Sequence, residues 1–455
     1  MKKVFKKTVA ALLSLSMTFS FFACSIVIET DSGSGGSDWS GSGSFSEDAS
    51  NDGSSDGPTG GNVSGGSTPG GGGTPDDTTS DDSGSGNGSS SDLGGGSGNS
   101  SDGGSSSSSS SGPNNSSNVS DDNVGGDDTT DLAPLSIHFL ELGLYNTGDC
   151  TYIKAGDTDI LIDAGAKRKS APTITSYLSN YCTDGVLEYV IATHAHEDHI
   201  AGFVGENGKK QGVFDLYRVG TLIDFPKSKS TSGIYSDYKN LRSSIITKYG
   251  TKHYTALEWW NGVDGLPRSI EVADGITMNV LYQKYYETSG DENDYSVCVL
   301  FSQGDNHYLF TGDLEEKGEA SLLERNDLPK VKLYKAGHHG SKTSSTSALM
   351  AKIQPEVVCV CCCAGSSEYN AAPENTFPTQ TFINNVAPYT KKIYVTSLAI
   401  NDSNGKTTGF TSMNGNIVVS SMGGALTVNC SNSNTILKET AWFKANRKWP
   451  SNGVK

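Results

Sequence analysis

Residues 133–455 are predicted to form an α/β domain, and the hundred or so residues before it to form a disordered tether. Three observations carry this. From about Asp31 to Asp131 the chain is almost entirely Gly, Ser, Asp, Asn and Thr, with too little apolar surface to offset the entropy of ordering. Beyond it, short apolar runs are followed by stretches of helical spacing, and this order occurs twice. Two of those runs end in clusters of histidine, where a strand hands over to a loop.

In chain order, residues 1–24 read as an export signal. Lys2, Lys3, Lys6 and Lys7 form a basic head, and Val9 to Phe22 form an apolar stretch too short for a comfortable membrane span. Phe21-Phe22-Ala23-Cys24 resembles a bacterial lipobox, although Phe21 stands where an aliphatic residue is usual. The expectation is a lipoprotein, lipidated at Cys24 and anchored to the membrane on its extracytoplasmic side by several acyl chains. An ordinary signal peptide is the alternative. Residues 25–132 follow as a Gly/Ser/Asp-rich linker with a root-mean-square reach of roughly 55 Å. Eighteen acidic and four basic side chains fall within residues 1–132, so the net charge of −17 belongs mostly to that segment, and the remainder carries −3. A near-neutral domain lacks the bulk basic footprint of a dedicated nucleic-acid binder.

Within the domain, Ser136 to Leu144, Cys150 to Lys154 and Asp159 to Ile162 read as a meander of strands. Pro172 to Tyr181 has helical spacing, with Pro in an early turn. Val186 to Thr193 is a strand delivering a histidine loop. Residues 204 to 290 are read as an insertion beside the functional face, with a helix from Tyr235 to Tyr249 and the pair Trp259-Trp260. Strands Tyr295 to Phe301 and His307 to Thr311 flank a Gly304-Asp305-Asn306 turn, a helix starts near Leu314, and strand Val331 to Lys335 delivers a second histidine loop. A helix from Ser344 to Lys352 and a buried strand, Val357 to Ala364, follow. That strand holds four of the nine cysteines. They serve as small hydrophobes, because adjacent residues of a strand face opposite ways and chelate poorly. A disulfide framework and a metal site are the alternatives. Gly415 to Cys430 alternates and is expected to close a sheet edge.

The first histidine loop carries the chemistry. His194, His196, Asp198 and His199 place three of the chain's eight histidines and a carboxylate within six residues. Neutral imidazole and carboxylate are the ligands preferred by borderline divalent metals, zinc foremost, with manganese as the alternative. The loop is expected to face the surface.

The pattern His-x-His-x-Asp-His resembles the metal-binding signature of the metallo-β-lactamase superfamily. Thr311-Gly312-Asp313, after Tyr308-Leu309-Phe310, is similar to its strand-end bridging aspartate. Gly337-His338-His339-Gly340-Ser341-Lys342-Thr343-Ser344 resembles a segment of one branch, the hydrolase-like domain of the DNA-uptake channel protein ComEC. Phe139 to Gly143 and Ile160 to Gly165 look like that domain's opening hairpin, so the resemblance spans roughly residues 135 to 425. It implies a four-layer α/β/β/α metallo-β-lactamase sandwich, here as a stand-alone lipoprotein.

The resemblance further implies two divalent metal ions. His194 and His196 would hold the first, Asp198 and His199 the second, Asp313 would bridge them, and His338 would complete the second. His339 would turn toward substrate or a supporting bond, with the reverse assignment of the pair left open. A metal-bound hydroxide would be the nucleophile, oriented by Asp198, while Ser341 and Lys342 would steady a phosphate. The catalytic expectations are therefore Asp198, His339 and Lys342. Asp149 and Asp163 are read as supporting groups. Two departures stand out. No third histidine suits the first metal, since His253 and His307 have the wrong context, which leaves water or Asn293 for its fourth position. The branch's later His-Pro segment is replaced by Thr376-Phe377-Pro378-Thr379. The function implied is a cell-surface metal-dependent hydrolase, a phosphodiesterase or nuclease-like enzyme with DNA or another exposed phosphodiester as substrate. The alternatives are hydrolysis of a carboxylic ester, lactone or amide, and a non-catalytic tethered binding module.

Overall fold

A computed structural model describes residues 132–206, 209–370 and 372–455. The export signal and all of the linker but Leu132 lie outside the described residues.

The chain opens with an antiparallel meander of β1 (Leu135–Phe139), β2 (Thr151–Ala155) and β3 (Thr158–Ile162). Helix α1 (Ala171–Leu178), with proline in its first turn, crosses over to β4 (Val186–Ile191), which runs parallel to β3. Helix α2 (Glu197–Val204) starts directly after the first histidine loop. A two-residue ladder, β5 (Gly205–Glu206) with β6 (Lys210–Gln211), leads to α3 (Val213–Leu216) and β7 (Arg218–Asp224). Then come α4 (Gly233–Tyr249), β8 (Lys252–Thr255) and α5 (Ala256–Trp260).

Strands β9 (Ser269–Ala273), β10 (Ile276–Leu281), β11 (Cys298–Gln303) and β12 (Asn306–Phe310) form a second antiparallel meander. Helix α6 (Glu316–Arg325), β13 (Leu333–Lys335), α7 (Ser347–Ile353), β14 (Val357–Ala364), α8 (Gln380–Val386) and β15 (Ile393–Asn401) continue it with parallel strands. The chain ends with β16 (Thr407–Ser412), β17 (Ile417–Ser421), β18 (Thr427–Cys430) and α9 (Ala441–Asn446).

Two eight-stranded sheets result, ordered β18-β17-β1-β2-β3-β4-β7-β8 and β16-β15-β14-β13-β12-β11-β10-β9. They face each other across a core in which Phe139 of one stacks on Phe310 of the other, 6.3 Å between ring centres. Ile174, Phe203 and Tyr238 bring helices onto the first sheet. Leu322, Leu349 and Phe382 bring others onto the second. The domain is thus the expected α/β/β/α sandwich. Because β14 is covered on both faces, all eight of its residues are buried, which is why it reads as an unbroken apolar run and why its cysteines pack as hydrophobes. The eight cysteines among the described residues are all free thiols.

Two expectations are corrected, and one pair of strands is added. Residues 204–290 are not an insertion beside the sandwich: β7 and β8 extend the first sheet, and β9 and β10 form one edge of the second. Strands β15 and β16 were not foreseen. The histidine loop is not a surface loop throughout, because it winds at once into α2 and buries Asp198 and His199 in the first helical turn. A carboxylate there meets the positive end of the helix dipole.

Candidate metal centre

The centre forms where strands of both sheets end. Three loops of the first half are knitted together by backbone hydrogen bonds: Asp149 N–H to the Asp198 carbonyl (2.9 Å), Ala164 N–H to His199 (2.7 Å), and Gly165 N–H to Asp149 (2.8 Å). Gly165 has to be glycine, since a Cβ there would stand 1.6 Å from the Asp198 carbonyl oxygen. Across the cleft, Gly312 at φ +53° turns the chain after β12, and its N–H-bearing neighbour Asp313 donates to Ser296 Oγ at 3.0 Å.

Asp313 is the hub. Its Oδ2 lies 3.2 Å from His199 Nε2 and 3.2 Å from His339 Nε2. His339 Nε2 is also 3.3 Å from Asp198 Oδ2. Beside them the His194 and His199 rings are 4.1 Å apart between centres, and His194 Nε2 faces His196 Nδ1 at 3.0 Å. The ring nitrogens pointing away from the cluster are tied down. His199 Nδ1 donates to Asp163 (2.8 Å), whose carboxylate also accepts from the Thr193 N–H and hydroxyl. His339 Nδ1 donates to the Cys361 carbonyl at 2.9 Å. Such outward bonds turn Nε2 of each ring toward the centre, where the neutral imidazole would offer its electron pair to a metal.

The cluster fits a cation. His199 Nε2, His339 Nε2 and Asp313 Oδ1 are buried with no hydrogen-bond partner, a costly state for polar atoms unless something else satisfies them. Asp149, His199, Asp313 and His339 offer ligand atoms within 4.8 Å of one another. Burial alone would raise the Asp313 and Asp198 carboxyls, but the neighbouring histidines outweigh it and hold both well below the usual range. Burial would lower His199 and His339, yet the surrounding carboxylates pull both well above it. His194, deep in the same cleft, is lowered by burial and by the charge of neighbouring His199. The electrostatics ask for positive charge at the hub.

The geometry separates the histidine pair whose order the sequence left open. His338 and His339 both have positive φ, 46° and 53°, and their side chains diverge. His339 is the one inside the cluster. His338 is partly exposed, its Nε2 is 3.9 Å from Asp313, and its Nδ1 lies near Thr343 Oγ1 (3.1 Å) and Glu315 (3.4 Å). Lys342 is exposed at the rim, 3.4 Å from Asn375 Oδ1. Asn293, expected near the first metal, instead donates to Glu315 (3.3 Å), while Ser296 of the same segment lies 3.4 Å from His194 Nδ1. His253 bonds Asp224 and His307 bonds Ser302, both away from the cluster. Phe377 covers the place where the histidine of a His-Pro pair would stand, its ring 5.7 Å from that of His338 and 6.0 Å from that of His339.

Two groups escaped the sequence reading. Lys335 is buried, paired with Asp149, and 3.8 Å from Asp313. Asp149 in turn sits behind His339 Nδ1 at 3.2 Å. A lysine closing an apolar strand was the available signal. Tyr369 had none: its hydroxyl donates to Asp198 Oδ2 at 2.7 Å from a loop without a motif. A cavity of about 220 Å³ opens beside the centre between His338, Lys342, Tyr369 and Phe377, and one of about 460 Å³ lies on the other side of Lys342, against Glu315 and Lys317.

Parts of the chain are similar to known proteins. Residues 146–205 match the model of the metallo-beta-lactamase superfamily. Recombination protein 2 of Haemophilus influenzae is 35% identical over 86 residues, 19% of this chain and 10% of that protein. ComE operon protein 3 of Bacillus subtilis is 25% identical over 182 residues, 38% of this chain and 20% of that protein. The chain thus spans a tenth to a fifth of the length of these relatives. Among solved structures, the short form of human tRNase Z aligns over 50% of this chain and 92% of its own at 11% identity and a TM-score of 0.29.

Proposed function

We propose that this chain, a member of the metallo-β-lactamase superfamily, is a metal-dependent hydrolase that cleaves phosphodiester bonds. The observation carrying this reading is the convergence of His199, His339 and Asp198 around Asp313, with two buried imidazole nitrogens and a carboxylate oxygen left unpartnered. In this reading His194, His196, Asp198, His199, His339 and Asp313 would be the residues that hold two divalent ions. Such ions supply an activated water and polarise the attacked oxygen; zinc suits the nitrogen and oxygen donors, with manganese the alternative.

The chain's own residues do the rest. Asp163 and the Cys361 carbonyl fix the ring orientation of His199 and His339. Lys335 holds Asp149 and offsets part of the negative charge. His338 and Lys342, at the rim, face the substrate; both are cationic or hydrogen-bonding groups suited to phosphoryl oxygens. Asp198 reaches both His339 and the cleft and would orient the attacking water. DNA is the phosphodiester polymer to try first, given the likeness to ComEC-type proteins. Export and lipidation at Cys24 belong to the same reading and rest on the sequence of residues 1–25.

The test is elemental analysis of the purified chain, followed by turnover of bis(p-nitrophenyl) phosphate and single-stranded DNA against p-nitrophenyl acetate and a lactone. Bound transition metal with diester turnover is expected. A protein that takes up no transition metal contradicts the whole reading, and turnover confined to the acetate or lactone contradicts the phosphodiester assignment. For the anchor, Cys24→Ser is expected to release the protein from membranes or leave it unprocessed, and full processing with retention in the membrane fraction would reject it.

A further inference from the structure

We propose that Tyr369 contacts the substrate, transferring its hydrogen bond from Asp198 to a phosphoryl oxygen when substrate enters the cleft. This rests on the reading of the centre as a phosphodiesterase and adds to it a residue from outside the histidine and aspartate motifs.

The hydroxyl of Tyr369 is 2.7 Å from Asp198 Oδ2. Were its only task to hold Asp198, the side chain would be expected inside the protein, as Thr193 is beside Asp163. Instead 50% of Tyr369 is exposed, and it lines the cavity of about 220 Å³ that also meets His338 and Lys342. Only the tip of the ring reaches the centre, and the rest forms a wall at the entrance.

The two residues that precede it are anchored to neighbouring segments. Glu368 accepts from Asn146 Nδ2 (2.6 Å) and the Thr147 N–H (2.8 Å), and lies 3.4 Å from Lys167. The Ser367 N–H donates to Thr407 Oγ1 at 2.8 Å. The ring packs against Phe377, 5.8 Å between centres. The phenol is therefore delivered to a fixed place rather than left to sample the entrance.

Charge gives it a use. Lys342 is the one lysine or arginine among the described residues that line this cavity, and the centre behind it is rich in carboxylate. A phosphoryl group arriving there needs donors that can be released from those carboxylates without moving the groups that hold the centre together. A phenol bonded to a single carboxylate oxygen can turn to a neighbouring acceptor through its one rotatable O–H, with no movement of the ring.

The experiment compares the full-length, metal-loaded protein with Tyr369→Phe, using isothermal titration with inorganic phosphate as the probe. Metal content and turnover of bis(p-nitrophenyl) phosphate are measured alongside. The variant is expected to keep its metal content and melting temperature, to bind phosphate about tenfold more weakly, and to lose roughly ten- to a hundredfold in kcat/KM. Glu368→Gln, which loosens the anchor and keeps the phenol, is expected to give a smaller loss in the same direction. If metal content falls in step with activity in Tyr369→Phe, the residue only anchors Asp198 and the proposal fails. Unchanged phosphate affinity also overturns it, as does a wild-type protein that binds no phosphate. If phosphate binding depends on Tyr369 but the wild type does not turn over the diester, the contact stands and the phosphodiesterase reading falls.

Discussion

The order of two adjacent histidines shows what a single residue decides here. Successive positive φ values at 338 and 339 throw one imidazole to the rim and the other onto Asp313. His339→Ala is therefore expected to cut bound metal to about half while His338→Ala keeps it and lowers turnover, as inductively coupled plasma analysis and diester kinetics would show; the reverse pattern would restore the expectation drawn from sequence. Such a swap is invisible in sequence, because spacing places both groups in one loop, and the groups that hold the inward ring, the Cys361 carbonyl and Asp149, lie elsewhere in the chain. The aspartates and the first three histidines were legible because their spacing is itself the chemistry. Lys335 is a further case at this scale. Removing one member of a buried pair leaves its partner charged and unmatched, so Lys335→Met should cost about 3 kcal/mol in urea denaturation. Combining it with Asp149→Asn should recover part of that loss, and a purely additive double variant would show that the pair is not coupled.

Between elements, Glu319 joins two helices. It projects from α6 and accepts the backbone N–H groups of Ser345 (2.6 Å) and Thr346 (2.8 Å), where Thr346 caps α7. Burial, opposed by those hydrogen bonds, raises its carboxyl to about 7. A folded pKa above the unfolded one means that the associated stability is complete below about 4.5 and is lost as pH rises through about 7. Wild type should thus lose stability between pH 5 and 8 relative to Glu319→Gln, by up to about 3 kcal/mol. Parallel urea midpoints across that range would exclude it. Legibility also varied by element. Strands β3, β4 and β12 were readable because each is a compact apolar run ending at a motif. Strands β7 to β10 were not, since Arg218–Asp224 mixes charge with glycine and the segment around it is aromatic and helical, which hides a period of two. Only contact with the rest of each sheet makes them strands.

At the scale of the whole molecule, the centre is divided between the halves. The first sheet's loops bring His194, His196, Asp198 and His199, and the second sheet's bring Asp313, His338 and His339. A metal held there would therefore tie the two layers together. Metal binding to the native state alone stabilises by mass action, about 2.7 kcal/mol at a hundredfold excess over Kd. Chelation should lower the melting temperature by several degrees, and Asp313→Asn should abolish most of that difference in scanning calorimetry; an equal drop in the variant would place the metal elsewhere.

The pairing of β1 with β17 has a further consequence, one of timing. Leu135 to Phe139 lie at the start of the domain, yet their neighbour on one side is Ser421 to Ile417, near its end. Until that late segment has been synthesised, β1 presents a row of unpaired backbone groups, and the first sheet lacks both β17 and β18. A growing chain can gather the β1-β2-β3 meander early but cannot close this layer piece by piece. Its completion waits for nearly the last strand to emerge, so the first layer can begin at its start but close only when almost the whole domain has been made.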